Sequence, residues 1–121
     1  MGTGERTIFA LWAAIEAREW ERVESLCSPT CTFSLPQSGE LYDRSGYVRL
    51  NREYPGEWHL KVTRLVEGDA WVVTEVEVAT TDRVDHGITF FRVVDGLVME
   101  IREFWPEAFV VPEWRAAWSH T

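Results

Sequence analysis

The chain has 121 residues, 45% of them hydrophobic and 26% charged, with 20 acidic side chains against 12 basic ones and a formal net charge of −8. A chain of this length makes one domain, 1–121, that buries roughly two thirds of the surface its unfolded form exposes, which excludes a disordered chain or one needing disulfide staples. The acidic balance, with Lys61 the single lysine, lacks the positive footprint that nucleic acid or an anionic membrane requires, and no apolar run approaches the roughly 20 residues that span a bilayer.

Met1 to Arg6 leads into an amphipathic segment instead of the apolar stretch of a signal peptide, so a cytoplasmic location is expected. Ile8, Leu11, Trp12 and Ile15 recur at spacings of three and four and predict a helix over 5–18. A second short helix over 19–27 buries Trp20, Val23 and Leu26, and Ser28-Pro29 stops it. Cys27 and Cys31 flank Pro29 with no histidine or second cysteine pair nearby, so they read as free packing thiols and not as a zinc site. A short strand over 31–35 turns at Pro36-Gln37-Ser38-Gly39 and returns through Glu40, Leu41 and Tyr42.

Asp43 or Ser45 can cap a third helix reaching Tyr54, where Pro55-Gly56 ends it. The rest reads as strands over 58–66, 70–80, 86–94 and 97–105, rich in Val, Ile, Phe, Trp and Thr and punctuated by Gly and Asp. The fold class is α+β: three N-terminal helices packed on a strongly curved mixed or antiparallel sheet, forming a cone whose apolar interior suits a small apolar molecule.

Asp95-Gly96 favours a two-residue turn that opposes Val94 to Leu97, and an unbroken ladder would then pair Arg92 with Met99, Phe90 with Ile101, Ile88 with Glu103 and His86 with Trp105. One face would carry Ile88, Phe90, Met99, Ile101 and Trp105, with Glu103 and His86 among them. A carboxylate in such company is a candidate proton shuttle, and a neighbouring imidazole can share its proton. Equally, Glu103 can be a satisfied core carboxylate and His86 an exposed turn residue. Tyr47 and Tyr54, seven apart, look down one side of the third helix as possible oxyanion donors or core packing, and Trp12 and Trp58 are large enough to line a cavity. Glu75 and Glu77 alternate with valines and fall on the outer face. Phosphate-loop, nucleophile-elbow and metal-ligand motifs are missing, so no cofactor and no metal are expected.

Several motifs in order carry a resemblance: the tryptophan-bearing first helix, Ser38-Gly39-Glu40, Tyr54-Pro55-Gly56-Glu57-Trp58-His59, Val94-Asp95-Gly96-Leu97-Val98, Arg102-Glu103-Phe104-Trp105-Pro106 and Pro112-Glu113-Trp114-Arg115. Together they resemble the nuclear transport factor 2-like superfamily and, within it, the small bacterial SnoaL-like proteins. The resemblance implies a cone that often dimerises through the outer sheet face, with a pocket used by ketosteroid isomerases, polyketide cyclases, scytalone dehydratase and limonene epoxide hydrolase. It also implies that an acid on the last long strand does the proton chemistry, and Glu103 stands at the similar position. The epoxide hydrolases carry Arg and Asp two apart in a Thr-Glu-Arg-x-Asp run, where this chain has Thr74-Glu75-Val76-Glu77-Val78. The isomerases' early-strand Asp has no counterpart in Thr32-Phe33-Ser34-Leu35. Three expectations therefore stand together: a cofactor-independent lyase, isomerase or hydrolase, a dimeric ligand-binding module, and a cone plugged by Trp12, Trp58 and Trp105. A homodimer is expected under each, and the tail Trp114 to Trp118 is expected to fold back as a short helical or irregular lid over apolar surface, either the pocket mouth or the neighbouring subunit.

Overall fold

A computed structural model describes residues 2–120 of the chain. The apolar stripe makes α1, Thr3–Glu16, and Ile8, Leu11, Trp12 and Ile15 are all buried. Arg18 takes a left-handed backbone, φ 59°, that turns the chain into α2, Trp20–Leu26, which buries Val23. Strand β1, Cys27–Leu35, starts four residues earlier than expected because the backbone goes extended as soon as α2 ends. Pro29 cannot donate to a ladder, and the pairing of β1 is irregular between Cys27 and Thr32.

Strand β2, Glu40–Asp43, folds back on β1, and Asp43 caps α3, Arg44–Glu53, by accepting from the Gly46 N–H at 2.8 Å. Strands β3, His59–Glu67, β4, Trp71–Ala79, β5, Val84–Val94, and β6, Leu97–Phe104, complete one open sheet in the order β2-β1-β6-β5-β4-β3. β1 and β6 are parallel and every other pair is antiparallel. The helices cover one sheet face, and the core lies between them around Phe33, Val72, Val76, Phe91, Val98 and Ile101. Trp12 meets Phe91 edge to face at 5.8 Å and so ties α1 to the middle of the sheet.

The final hairpin decides what faces the core. Asp95 and Gly96 have φ of 51° and 76°, the two-residue turn expected, with Val94 opposite Leu97 and Val93 opposite Val98. Beyond Val98, β6 carries one extra residue at Met99, so that Arg92 pairs with Glu100, Phe91 with Ile101, Thr89 with Glu103 and Ile88 with Phe104. One inserted residue exchanges the faces of a strand relative to its neighbour. The expected inner set is corrected accordingly: Gly87, Thr89 and Phe91 are buried beneath the helices, whereas His86, Ile88 and Phe90 alternate with them on the opposite face. Ile101 and Glu103 stay inside. On β4 the buried Val72, Thr74 and Val76 leave Glu75 and Glu77 on the outer face, as their alternation predicts.

After β6 the chain runs to a 3₁₀ turn at Glu113–Trp118. No residue from Pro106 to His120 is buried, so the tail does not form the expected lid over its own chain.

Candidate ligand-binding and catalytic site

Between α3, the β1–β2 hairpin and the inner ends of β3 to β6 the fold leaves a cavity of about 690 Å³, a size suited to a small organic molecule. Its walls are mainly apolar: Trp12 from α1, Leu35 and Tyr42 from the hairpin, Leu50 and Tyr54 from α3, and Trp58, Leu60, Val78 and Trp105 from the sheet side. Charged groups lie at its exposed end, where Arg49 pairs with Glu53 at 2.6 Å and Arg83 holds Asp85 at 3.0 Å. Among the described residues, no cluster of three His, Cys, Asp or Glu side chains is placed to hold a metal ion.

Glu103 is the one acid on this lining that is buried in the core. Its two oxygens are held by different strands: Thr89 Oγ1, directly opposite on β5, donates to Oε2 at 2.8 Å, and Trp105 Nε1, two residues on, donates to Oε1 at 2.9 Å. Burial pushes the Glu103 carboxyl above the ordinary carboxylate range, because the charged form loses its water, and the two donors pull it part of the way back. Trp105 can reach Glu103 because its ring lies on the backbone of Gly87, where a Cβ would sit 2.7 Å from ring atoms Cη2 and Cζ3. Further along the row, Thr74 opposes Thr89 and accepts from Trp12 Nε1 at 3.2 Å. A polar row, Thr74, Thr89 and Glu103, thus crosses three strands inside an apolar interior, with an indole N–H at each end.

Tyr47, on α3, is fully buried with its ring edge to face on Phe33 at 4.8 Å, and its hydroxyl has no hydrogen-bond partner. Burial pushes that hydroxyl well above the usual phenol range, and the negative charge of Glu103 adds to the effect. At the wall, Trp58 is clamped by Arg18, whose guanidinium lies 3.8 Å from the ring centroid while donating to the Trp58 carbonyl.

The structure gathers Trp12, Tyr54, Trp58, Glu103 and Trp105 around the cavity, with Tyr47 behind it. Ile101 is core and not lining. His86, exposed and paired with Glu77, and Ile88 and Phe90 occupy the outer face, and Met99 lies at the bulge. Thr89, which the unbroken ladder put outside, is the group that actually contacts Glu103; only the position of the bulge could have revealed it. Leu50, Leu60 and Val78 also line the cavity, yet their aliphatic side chains look like any core residue in sequence. Cys27 and Cys31 are free and buried, and the Cys27 thiol is pushed up by its hydrogen bond with Cys31 and by burial.

Helices closing one face of an open, six-stranded mixed sheet around an apolar cavity with a buried acid define an α+β fold with a candidate pocket. Residues 8–101 match the family model of the SnoaL-like domain, and the chain belongs to that family. A crystal structure from Kribbella flavida, provisionally assigned as a ketosteroid isomerase, is 32% identical with a TM-score of 0.93, over 98% of this chain and 89% of that one. An NTF-2 like protein of unknown function from Burkholderia xenovorans is 21% identical with a TM-score of 0.82, over 98% and 94% of the two chains. IdmH from Streptomyces antibioticus, provisionally a polyketide cyclase, shares the fold at 19% identity with a TM-score of 0.72, over 84% and 90%. Among curated proteins none matches this chain.

Proposed function

We propose that this protein is a cofactor-independent lyase, isomerase or hydrolase that moves a proton on a small, mostly apolar metabolite with Glu103. The observation that carries the reading is a carboxyl buried among apolar walls, open to a cavity, with its proton affinity raised above the ordinary carboxylate range by desolvation. Thr89 and Trp105 fix its orientation, while Tyr47, buried behind the cavity wall with an unpartnered hydroxyl, supports that wall and does not reach the ligand. Trp12, Tyr54, Trp58 and Trp105 would bind the ligand body. His86, on the other face, has no part in this reading.

Incubation with a panel of apolar cyclic ketones and epoxides, followed by mass spectrometry and chiral chromatography, tests it. Glu103→Gln should lower turnover by about 10²–10⁴-fold while leaving the fold intact, the range expected for a general acid or base. An unchanged rate in that variant removes Glu103 from the chemistry.

A second reading is a non-catalytic binding module, favoured by the fact that both Glu103 oxygens already have partners within the protein. It predicts ligand-dependent thermal stabilisation with the ligand recovered unaltered. Under either reading the protein acts as a single domain, 1–121, in the cytoplasm. It does so as a homodimer joined through the outer sheet face, which presents Val73, Ile88, Phe90 and Phe104 only partly buried.

A further inference from the structure

The two cysteines stand outside the chemistry assigned to Glu103, and the sheet brings them together. From Cys27 to Thr32 strand β1 advances five residues, while its parallel neighbour β6 advances only two, from Val98 to Glu100. Residues four apart on a regular strand would be about 13 Å from each other. Here the surplus is taken up as a wide bulge at 28–30, so Cys31 stands about one strand step, roughly 3.3 Å along the sheet, from Cys27. The bulge is held from within: the Ser28 hydroxyl accepts from the Thr30 N–H at 3.2 Å and lies 3.1 Å from the Thr30 hydroxyl. Both cysteines are buried, 1% and 2% exposed, and their thiols hydrogen-bond each other, whereas Pro29 and Thr30 are exposed on the bulge between them.

Two thiols in contact across one strand step are within reach of the Cα separation, about 4.4–6.8 Å, that a disulfide spans. We propose that Cys27 and Cys31 form an oxidation site, at which a peroxide converts the two thiols into a reversible intrachain disulfide. One peroxide serves one pair. The Cys31 sulfur attacks a peroxide oxygen and the O–O bond breaks; Cys31 becomes a sulfenic acid, and the other oxygen leaves as water with the thiol's proton. The Cys27 sulfur then displaces the sulfenic hydroxyl, which takes the Cys27 proton and leaves as a second water. Two electrons have passed from sulfur to oxygen, and no part of the Glu103 chemistry is needed.

Hydrogen bonding and charge divide the roles. The bond from Cys27 and the Arg44 guanidinium hold the Cys31 thiol below its ordinary range, against burial and Glu100. Cys27 is pushed up by the same bond and by burial, with Glu24 adding to the effect and Arg44 opposing it. Cys31 is therefore the thiolate that meets the oxidant, and Cys27 the thiol that resolves it. In a reducing compartment such a pair stays reduced until an oxidant arrives. The pair also stands behind the cavity: Arg44, at the start of α3, donates to the Cys27 carbonyl at 3.4 Å, and Tyr47 feels the charge of both sulfurs. A bridge would tie down the part of β1 beside α3, which carries Leu50 and Tyr54 of the cavity wall.

Treatment of the full chain with equimolar hydrogen peroxide, then unfolding in iodoacetamide and mass spectrometry of the tryptic fragment 23–44, tests the site. The fragment should be lighter by about 2 Da, the two hydrogens lost, and should take no alkyl group, while prior reduction with dithiothreitol should restore alkylation of both cysteines. The native protein should close the bridge on the order of tenfold faster at neutral pH than the urea-unfolded chain, in which Cys31 has lost the groups that favour its thiolate. In Cys27→Ser the sulfenic acid should accumulate on Cys31 and be trapped by dimedone, whereas Cys31→Ser should leave Cys27 unmodified; circular dichroism checks that each variant keeps its fold. Dimedone on Cys27 would overturn the division of roles. A bridge that closes faster in the unfolded chain, a disulfide between two chains, or a gain of about 32 Da on one cysteine would each overturn the site, and these readings need no variant.

Discussion

Gly87→Ala puts the construction of the site to a direct test. An added Cβ would stand 2.7 Å from the Trp105 ring, and ordinary contact begins at 3.4 Å, so the indole must lift by about 0.7 Å. Its Nε1 donates to Glu103 at 2.9 Å, and a displacement of that size carries the pair to about 3.6 Å, beyond any hydrogen bond. Loss of one hydrogen bond to a buried charged group costs about 1.5–3 kcal/mol. The Gly to Ala change returns about 0.4–1 kcal/mol by restricting the unfolded chain. The net expectation is a protein less stable by about 1–2 kcal/mol where Glu103 is charged, and by less where acid has protonated it. The Glu103 midpoint, followed by carbon-13 NMR of the carboxyl, should rise further, because one of the two donors that hold it down is gone. Urea unfolding at two pH values supplies the stability. An unchanged midpoint together with unchanged stability would show that Trp105 slides over the new methyl without releasing Glu103, and the idea that Gly87 positions the acid would be lost.

Glu103→Gln should alter stability as well as turnover. Because the folded-state midpoint lies above that of the unfolded chain, the folded form holds the proton more tightly, and stability falls as pH rises from the ordinary carboxylate range to the folded midpoint. Each pH unit between the two midpoints is worth about 1.4 kcal/mol. The amide should abolish that fall and make the variant the more stable protein above it; parallel stability curves in a pH series of denaturation would contradict this. Tyr47→Phe removes a buried hydroxyl with no partner behind the cavity wall, so the protein should be unchanged or up to about 1 kcal/mol more stable, with ligand affinity and turnover kept. A marked loss of stability would mean that the hydroxyl is in fact satisfied. Asp43→Ala removes the cap of α3 and should cost about 1 kcal/mol in urea unfolding, where an unchanged midpoint would deny the cap any weight. Since α3 carries Leu50 and Tyr54, the same variant should also weaken ligand binding.

Much of the architecture was legible because its signals are local. The stripe of Ile8, Leu11, Trp12 and Ile15 defines α1, Asp43 starts α3, and Asp95-Gly96 makes the turn it favours, each through interactions within a few residues. Element ends moved by a residue or two, and the larger shift at Cys27 came where Pro29 stops a helix without preventing an extended strand before it. Glu103 was legible as a candidate because an acid amid Ile101 and Trp105 stands out, whereas its partner was not. The turn set the pairing of Val94 with Leu97 and Val93 with Val98, but a single extra residue at Met99 reversed the faces of everything beyond on β5.

The sequence by itself determined the class of fold, the helix and strand order and the presence of an acid on the last strand, all properties of periodicity and turn chemistry within short windows. Only the tertiary structure decided that Thr89 and not His86 meets that acid, that Trp105 rests on Gly87, and that Tyr47 is left without a partner. The reason is physical: side-chain direction alternates every residue along a strand, so one bulge, chosen by packing across the whole sheet, outweighs any local preference in choosing which groups share the cavity.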